Sequence, residues 1–404
     1  MSQFTLDRRS LLKSGSGLLA VAATMSSEQL LGYAKAWAQS APWKPEAGAR
    51  INLLRWKRFV EAEDVAFNKI VDAFQKATGV TINVSNESYE DVQPKASVAA
   101  NVGQGLDIVW GLYSLPFLFP SKVTDMTDVA DYVGKKGGGW SKSGEAYGKL
   151  DGKWIGVPVA VTGALVNYRI AAMEKAGHKE FPKDLAGFAD LIKGLNKNGT
   201  PAGMAVGHAS GDANTWLHWA LWAHGGNLID ANNKAFLAGQ LFLTVNGISI
   251  YVTAKRENPQ IAEDMNHAHL PAGVDGKTRE LNLGFPILVF NFTKFPQACK
   301  AFTAFMLDPD QMNPWVEASQ GYLSPFLLGF NKNPIWTADP KNTPFRDVAE
   351  TSLTPAGLGQ MSEAAAAAIA DFVVVDMFAN YCTGREDVKT AMASAERSAK
   401  RIFR

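Results

Sequence analysis

At 404 residues the chain is long enough for two domains, each with a sizeable core. Forty basic against 39 acidic residues leave a formal charge of +1, so no basic footprint points to nucleic acid or to an anionic membrane. The 47% apolar and 20% charged residues are ordinary globular values that argue against a disordered or fibrous chain.

In chain order, Asp7-Arg8-Arg9-Ser10-Leu11-Leu12-Lys13 comes first and resembles a twin-arginine export signal. The apolar run over 17–23 is far short of the ~20 residues that span a bilayer. Ala36-Trp37-Ala38 offers a small-x-small cleavage site, so residues 1–38 read as the signal and Gln39 as the mature start. The expected location is periplasmic, with the twin-arginine translocase as export partner. No cysteine sits near that site to carry a lipid anchor, and no later segment reads as a membrane span.

Residues 51–54 then read as a strand leading to Trp56-Lys57-Arg58. A helix over 63–77 has apolar Val65, Phe67, Ile70, Val71 and Phe74 at helical spacing and stops at Gly79. Strand 80–84, helix 91–101 and strand 106–110 follow, and two strand-helix-strand units imply a parallel sheet. Lys135-Lys136-Gly137-Gly138-Gly139 lacks the Lys-Ser/Thr partner of a phosphate loop and reads as a flexible surface turn. Asp151-Gly152 is a hairpin turn before another strand.

The region 216–226 is a dense aromatic helix. Asp212, Asn214 and Trp216 near its start combine a carboxylate, an amide and an aromatic plane, the mixture that sugar hydroxyls and a sugar's C–H face require. Leu241, Leu243 and Val245 alternate with polar residues as a strand. The strand ends at Asn246-Gly247, a tight positive-φ turn, with Ser249 capping the next helix. A Gly turn between strand and helix is where ligands sit in open α/β sheets. Residues 334–345 are Pro-rich and irregular, 363–382 read as one long apolar helix holding Asp371 and Asp376, and 385–403 as a basic amphipathic helix. His208, His218 and His224 show no metal-ligand spacing, and no dinucleotide, nucleophile-elbow or zinc-protease motif occurs. No catalytic residue, metal or cofactor is therefore expected.

Several stretches, in order, resemble one family: 74–80 (FQKATGV), 105–110 (GLDIVW), 151–158 (DGKWIGVP), 236–239 (FLAG) with its strand and Asn246-Gly247, 270–273 (LPAG) and 320–325 (QGYLSP). They resemble the family 1 extracellular solute-binding proteins of ABC importers, the maltose-binding-protein-like group. The resemblance implies a two-lobed α/β periplasmic-binding-protein fold (type II-like) with parallel-rich sheets and hinge strands between lobes. One lobe is expected over 50–160 plus 287–327 and the other over 163–283 plus 330–404. It also implies capture of a small-molecule sugar by hinge closure, permease subunits as membrane partners, a monomer and no reaction.

The ligand set implied by residues and resemblance together is Trp56, Arg58, Glu87, Tyr113, Ser114, Thr162, Asp212, Asn214, Trp216, Asn246, Gly247, Ser249, Phe285, Tyr322 and Asp371. Arg58 and Lys57 suit either a neutral sugar or an anionic one. Glu87, Asp212 and Asp371 leave a non-sugar solute such as a polyamine open, and an exported enzyme is the other alternative. Cys299 and Cys382 are expected as free thiols, one in each lobe. The chain departs from the family between Asp230 and Ala231, where roughly forty residues, the size of a helix-bearing crossover, are expected and missing. Replacing both Arg8 and Arg9 by Lys should abolish export, read as loss of the protein from the periplasmic fraction; normal export of that double variant would contradict the twin-arginine assignment.

Overall fold

The computed structural model describes residues 26–204, 206–208, 211–224 and 241–403. Arg8, Arg9, the apolar run over 17–23, the FLAG stretch and the junction at Asp230/Ala231 lie outside these residues.

The strands run in chain order as β1 (Arg50–Trp56), β2 (Thr81–Glu87), β3 (Ile108–Trp110), β4 (Lys149–Leu150), β5 (Lys153–Trp154), β6 (Val157–Thr162) and β7 (Leu165–Arg169). They continue as β8 (Leu243–Asn246), β9 (Met265–Ala268), β10 (Glu280–Leu281), β11 (Leu283–Val289), β12 (Ser324–Pro325) and β13 (Ser352–Leu353). A six-stranded sheet, order β12-β6-β11-β3-β1-β2, anchors one lobe, and a three-stranded sheet, order β8-β7-β9, anchors the other. β1 pairs in parallel with β2 and β3, as the strand-helix-strand pattern predicts. β11 then enters antiparallel between β3 and β6. The three-stranded sheet is antiparallel throughout. The parallel-rich expectation thus holds for the N-terminal half of the first sheet and fails in the second. The reason is that β7, β8 and β9 come together from distant parts of the chain.

β1 buries Ile51 and every residue from Leu53 to Trp56, Arg55 included, so both its faces are covered in its second half. The helix Glu61–Thr78 buries Phe67, Ile70, Val71 and Phe74, with Arg55 of β1 over the Phe67 ring, and ends at Gly79, whose φ of 76° is the left-handed C-cap that glycine adopts without strain. Beside it lie the helices Pro309–Ala318 and Ser27–Ser40. Leu30, Ala34 and Trp37 of the latter are buried, so the cleavage site expected after Ala38 falls inside a packed element rather than in an exposed segment.

Four further expectations are corrected. Gly137-Gly138-Gly139 is a docked turn, not a free one: Leu328 and Gly329 donate backbone N–H to the carbonyls of Gly139 and Gly137, and a Cβ on Gly138 would meet the Gly329 nitrogen at 2.8 Å. Residues 334–345 contain a short helix, Ile335–Ala338, and a 3₁₀ stretch, Pro340–Phe345. The single long helix over 363–382 is two, Glu363–Ala370 and Val373–Cys382, broken where Phe372 takes φ 52°. Length and apolarity alone would let the whole 363–382 stretch cross a membrane, contrary to the expectation of no later span; the break leaves two helices that are each too short to do so. Cys299 is buried and Cys382 exposed, both free.

At the C-terminal end of β1 two guanidinium groups are buried together. Arg55 Nη2 lies 2.8 Å from Asp64 and 3.8 Å from Glu63, and Arg58 Nε lies 2.9 Å from Glu63 Oε2. Arg58 sits over the rings of Trp56 and Trp110 at 3.9 Å each, and Arg55 over Phe67 at 3.9 Å. Trp315 Nε1 donates to the other Glu63 oxygen at 2.8 Å. Burial, then the charge of Arg58, pulls Arg55 down to about 9, still protonated at neutral pH. Removing the carboxylate strands the buried Arg58 and leaves Arg55 with Asp64 alone, so Glu63→Ala should cost roughly 3–5 kcal/mol in urea unfolding. Asp72→Ala, which removes an exposed pairing with Lys76, should cost under about 0.5 kcal/mol. Equal effects would show that the buried cluster is not what holds this corner.

Candidate functional site

The chain passes between lobes at three places close in space. β6 ends at Thr162 and β7 starts at Leu165; β11 starts at Leu283; and the chain leaves the six-stranded sheet after β12, just beyond Tyr322. Ala164 N donates to Asn282 Oδ1 at 2.8 Å, and the Thr162 hydroxyl donates to the Tyr322 carbonyl, so the crossings are tied to each other. Gly163 fits there because a Cβ would meet Val348 at 2.7 Å.

Above these crossings is a cavity of about 110 Å³ lined from both sides. Phe59, Tyr89, Glu90 and Tyr322 come from the six-stranded side. Gly211, Asp212, Asn246, Gly247 and Ser249 come from the three-stranded side, with Thr162 and Leu283 between. Phe59 follows β1 and Tyr89 follows β2, at the carboxyl ends of parallel strands where open α/β sheets present ligand groups. Phe59 keeps 54% of its surface exposed, and its ring lies 6.0 Å from Tyr89 and 6.1 Å from Tyr322. Tyr322 in turn stacks on buried Phe285 at 6.1 Å. A second cavity, about 540 Å³, lies against β9 and residues 180–183. It is larger, yet it takes no residue from the six-stranded side.

Asp212 is the electrostatic centre of the smaller cavity. It opens the helix Asp212–Ala223 and accepts a 2.5 Å hydrogen bond from Asn246 Nδ2. Burial pushes its carboxyl up to about 7, with Glu90 raising it further and the Asn246 bond opposing. Tyr113, held at φ 46°, donates from its hydroxyl to the Gly211 carbonyl at 2.8 Å, a direct bond between the two sides. The Tyr89 hydroxyl is buried and has no hydrogen-bond partner among the described residues.

Of the residues expected from sequence, Thr162, Asp212, Asn246, Gly247, Ser249 and Tyr322 line the cavity together. Tyr113 reaches it through Gly211. Trp56 and Phe285 are fully buried and form the layer beneath, with rings 4.5 Å apart. The Arg58 side chain is buried behind Trp56 and faces Glu63 instead of the cavity. Glu87 pairs with Lys95, Ser114 is buried at the start of a 3₁₀ turn, and Asn214 is buried within its helix. Trp216 is partly buried against Ala213, Leu217 and Val375. Asp371 is exposed at the helix break beside Phe372, which stacks on His208 at 4.5 Å. Gly247 does not take positive φ; it is glycine because a Cβ would meet Thr162 Cγ2 at 2.9 Å. Ser249 is the first helical residue and makes no capping bond. Phe59, Tyr89 and Glu90 were missed, although their place just after two predicted parallel strands was the available signal. Among the described residues no group of His, Cys, Asp or Glu is placed to hold a metal ion.

The family profile described as bacterial extracellular solute-binding protein matches residues 69–233 and 229–344, well over half of the chain. The chain belongs to that family. The profile match breaks into two stretches that meet at 229–233, beside the junction where sequence is expected to be missing. Among solved structures, the GacH receptor of Streptomyces glaucescens, described unliganded and with acarbose, superimposes with TM-score 0.73 at 17% identity, over 88% of this chain and 99% of that one. Maltose-bound T. maritima MalE3 gives 0.70 at 15% identity, over 87% and 99%. A sugar transporter from Arthrobacter chlorophenolicus with bound laminaribiose gives 0.65 at 18% identity, over 89% and 100%. These likenesses establish the two-lobed fold of this solute-binding protein. No curated protein matches the chain.

The raised Asp212 carboxyl carries a pH signature. Its folded value lies above its unfolded value of about 4, so the folded state is favoured only while the group is protonated. Its contribution to stability therefore declines as pH rises from about 4 through about 7. Asp212→Asn keeps the neutral shape and should melt above the parent at pH 8 and level with it at pH 4. An equal difference at both pH values would show that Asp212 is not perturbed.

Proposed function

We propose that this solute-binding protein is the extracytoplasmic receptor of an ABC importer for a small carbohydrate, with its lobes over 50–160 plus 287–327 and 163–283 plus 330–404. The observation that carries the reading is the composition of the interlobe cavity. Aromatic rings from one lobe face a carboxyl, an amide and a hydroxyl from the other, directly over the crossings. Sugar C–H faces pack on rings while their hydroxyls both donate and accept, so such a ligand uses both halves. The sugar ligands named for the superimposed structures support the same class. At about 110 Å³ the cavity is smaller than the ~300–1,000 Å³ typical of ligand pockets, so entry requires the lobes to separate and capture is their closing. The closed form is what the permease subunits would read. The receptor acts as a monomer in the periplasm after twin-arginine export, and no residue is assigned a catalytic role.

Glu90 and Asp212 together favour a second reading, a cationic solute such as a polyamine held between two carboxylates and the aromatic rings. The shortening expected between Asp230 and Ala231 would bear on affinity rather than on class.

A thermal-shift panel of mono- and disaccharides, polyamines and uronic acids, followed by calorimetry, tests this directly. A carbohydrate should raise the melting temperature and be recovered unchanged. Phe59→Ala and Tyr322→Ala should each weaken its binding by ~1–3 kcal/mol. Phe59→Ala should leave stability within about 0.5 kcal/mol because the ring is exposed. Turnover of the sugar, or a response to polyamines alone, would overturn the carbohydrate reading.

A further inference from the structure

We infer that the segment 26–40 is a permanent part of the folded receptor and that export processing cuts upstream of Ser26, not after Ala38. The inference rests on the export reading above. The helix Ser27–Ser40 has a complete N-terminal cap of its own: Gln29 N donates to Ser26 Oγ at 3.2 Å, and Ser26 N donates to Gln29 Oε1 at 2.9 Å. A sequence that begins a helix so definitely specifies an element, not a tail.

Its inward face is built into the first lobe. Leu30, Ala34 and Trp37 recur at helical spacing and are 6%, 1% and 4% exposed. The Trp37 ring lies 5.1 Å from Phe305 and 6.3 Å from Phe74, and Tyr33 stacks on Phe305 at 6.3 Å. Phe74 and Phe305 are themselves fully buried, so removing Trp37 would open the middle of the lobe to water. The Tyr33 hydroxyl donates to Asp308 Oδ1, whose other oxygen accepts from Lys136 Nζ at 2.8 Å. That carboxylate is buried, and without Tyr33 it would keep the lysine and only a long 3.4 Å bond from Asp310 N.

The 38–39 bond itself lies in the last full turn of this helix. Lys44 Nζ donates to the carbonyls of Ala38 and Gln39 at 3.0 and 2.9 Å, tying that turn to the chain that follows. Peptidases cut exposed, irregular chain, and the twin-arginine route carries proteins already folded. Upstream of Ser26 a small-x-small signal occurs at Ala20-Val21-Ala22, within the apolar run over 17–23.

Terminal sequencing and intact mass of the full-length gene product recovered from the periplasm decide the position, with the melting temperature of Trp37→Ala measured on the same material. A start between residues 21 and 26, with Trp37→Ala melting at least ~5 °C below the parent, is expected. A start at Gln39 would overturn the inference. So would a start before Ser26 with an unchanged melting temperature for both Trp37→Ala and Tyr33→Phe. Uncut protein confined to the cytoplasm would contradict the export reading instead, and there the Trp37→Ala shift still decides whether the helix belongs to the lobe.

Discussion

One buried carboxylate sets the geometry on which the cleft depends. Glu63 faces the guanidinium groups of Arg55 and Arg58 and accepts from Trp315. Two like charges buried side by side are tolerated only because that carboxylate and Asp64 oppose them. With Arg58 fixed over Trp56 and Trp110, the chain leaving β1 has one route, and it delivers Phe59 to the cavity rim. Trp56 then touches Tyr89 at 5.6 Å and Phe285 at 4.5 Å, and Phe285 supports Tyr322. The aromatic half of the site is thus the upper surface of a core packed around a paired charge. Its rigidity comes from packing, which suits a surface that must meet a ligand without reorganising.

The opposite half is built on a different principle. Asp212, Asn246, Gly247 and Ser249 come from the start of one helix, the end of β8 and the start of the next helix. Polar groups there satisfy each other sparingly: Asn246 gives Asp212 one hydrogen bond, and burial pushes the carboxyl up to about 7. Such a group has bonding capacity left for a ligand hydroxyl. The close approach of β8 to the crossing at Thr162 depends on Gly247 lacking a side chain. Tyr113 bonding to Gly211 shows how short the span between the halves is in this conformation.

The first lobe was the more legible part of the sequence. Helix 61–78 announced itself through Phe67, Ile70, Val71 and Phe74 and stopped at Gly79, and the parallel order of β1, β2 and β3 followed from strand-helix-strand alternation. The antiparallel second sheet was not legible, because β7, β8 and β9 are short and widely separated and no local period records who pairs with whom. In the site, Asp212 and Asn246 could be found because polar groups beside a Gly turn and a helix start stand out. Trp216 looked equally suitable and faces Ala213, Leu217 and Val375, since residue type does not disclose which side of a helix is buried. Gly247 lines the cavity through its lack of a side chain and not through a positive-φ turn: steric room and positive φ both select glycine, and sequence cannot separate them. The buried fate of Arg58 needed the knowledge that Glu63, five residues on, would be buried beside it.

The central claim is that a sugar is held between these two unlike halves. A crystal structure of the receptor grown with the carbohydrate that most raises its melting temperature tests it most directly. Density for the sugar is expected with a ring face against Phe59 or Tyr322 and a hydroxyl within hydrogen-bond distance of Asp212 or Asn246. A sugar seated away from the interlobe cavity, such as against β9 and residues 180–183, would contradict it.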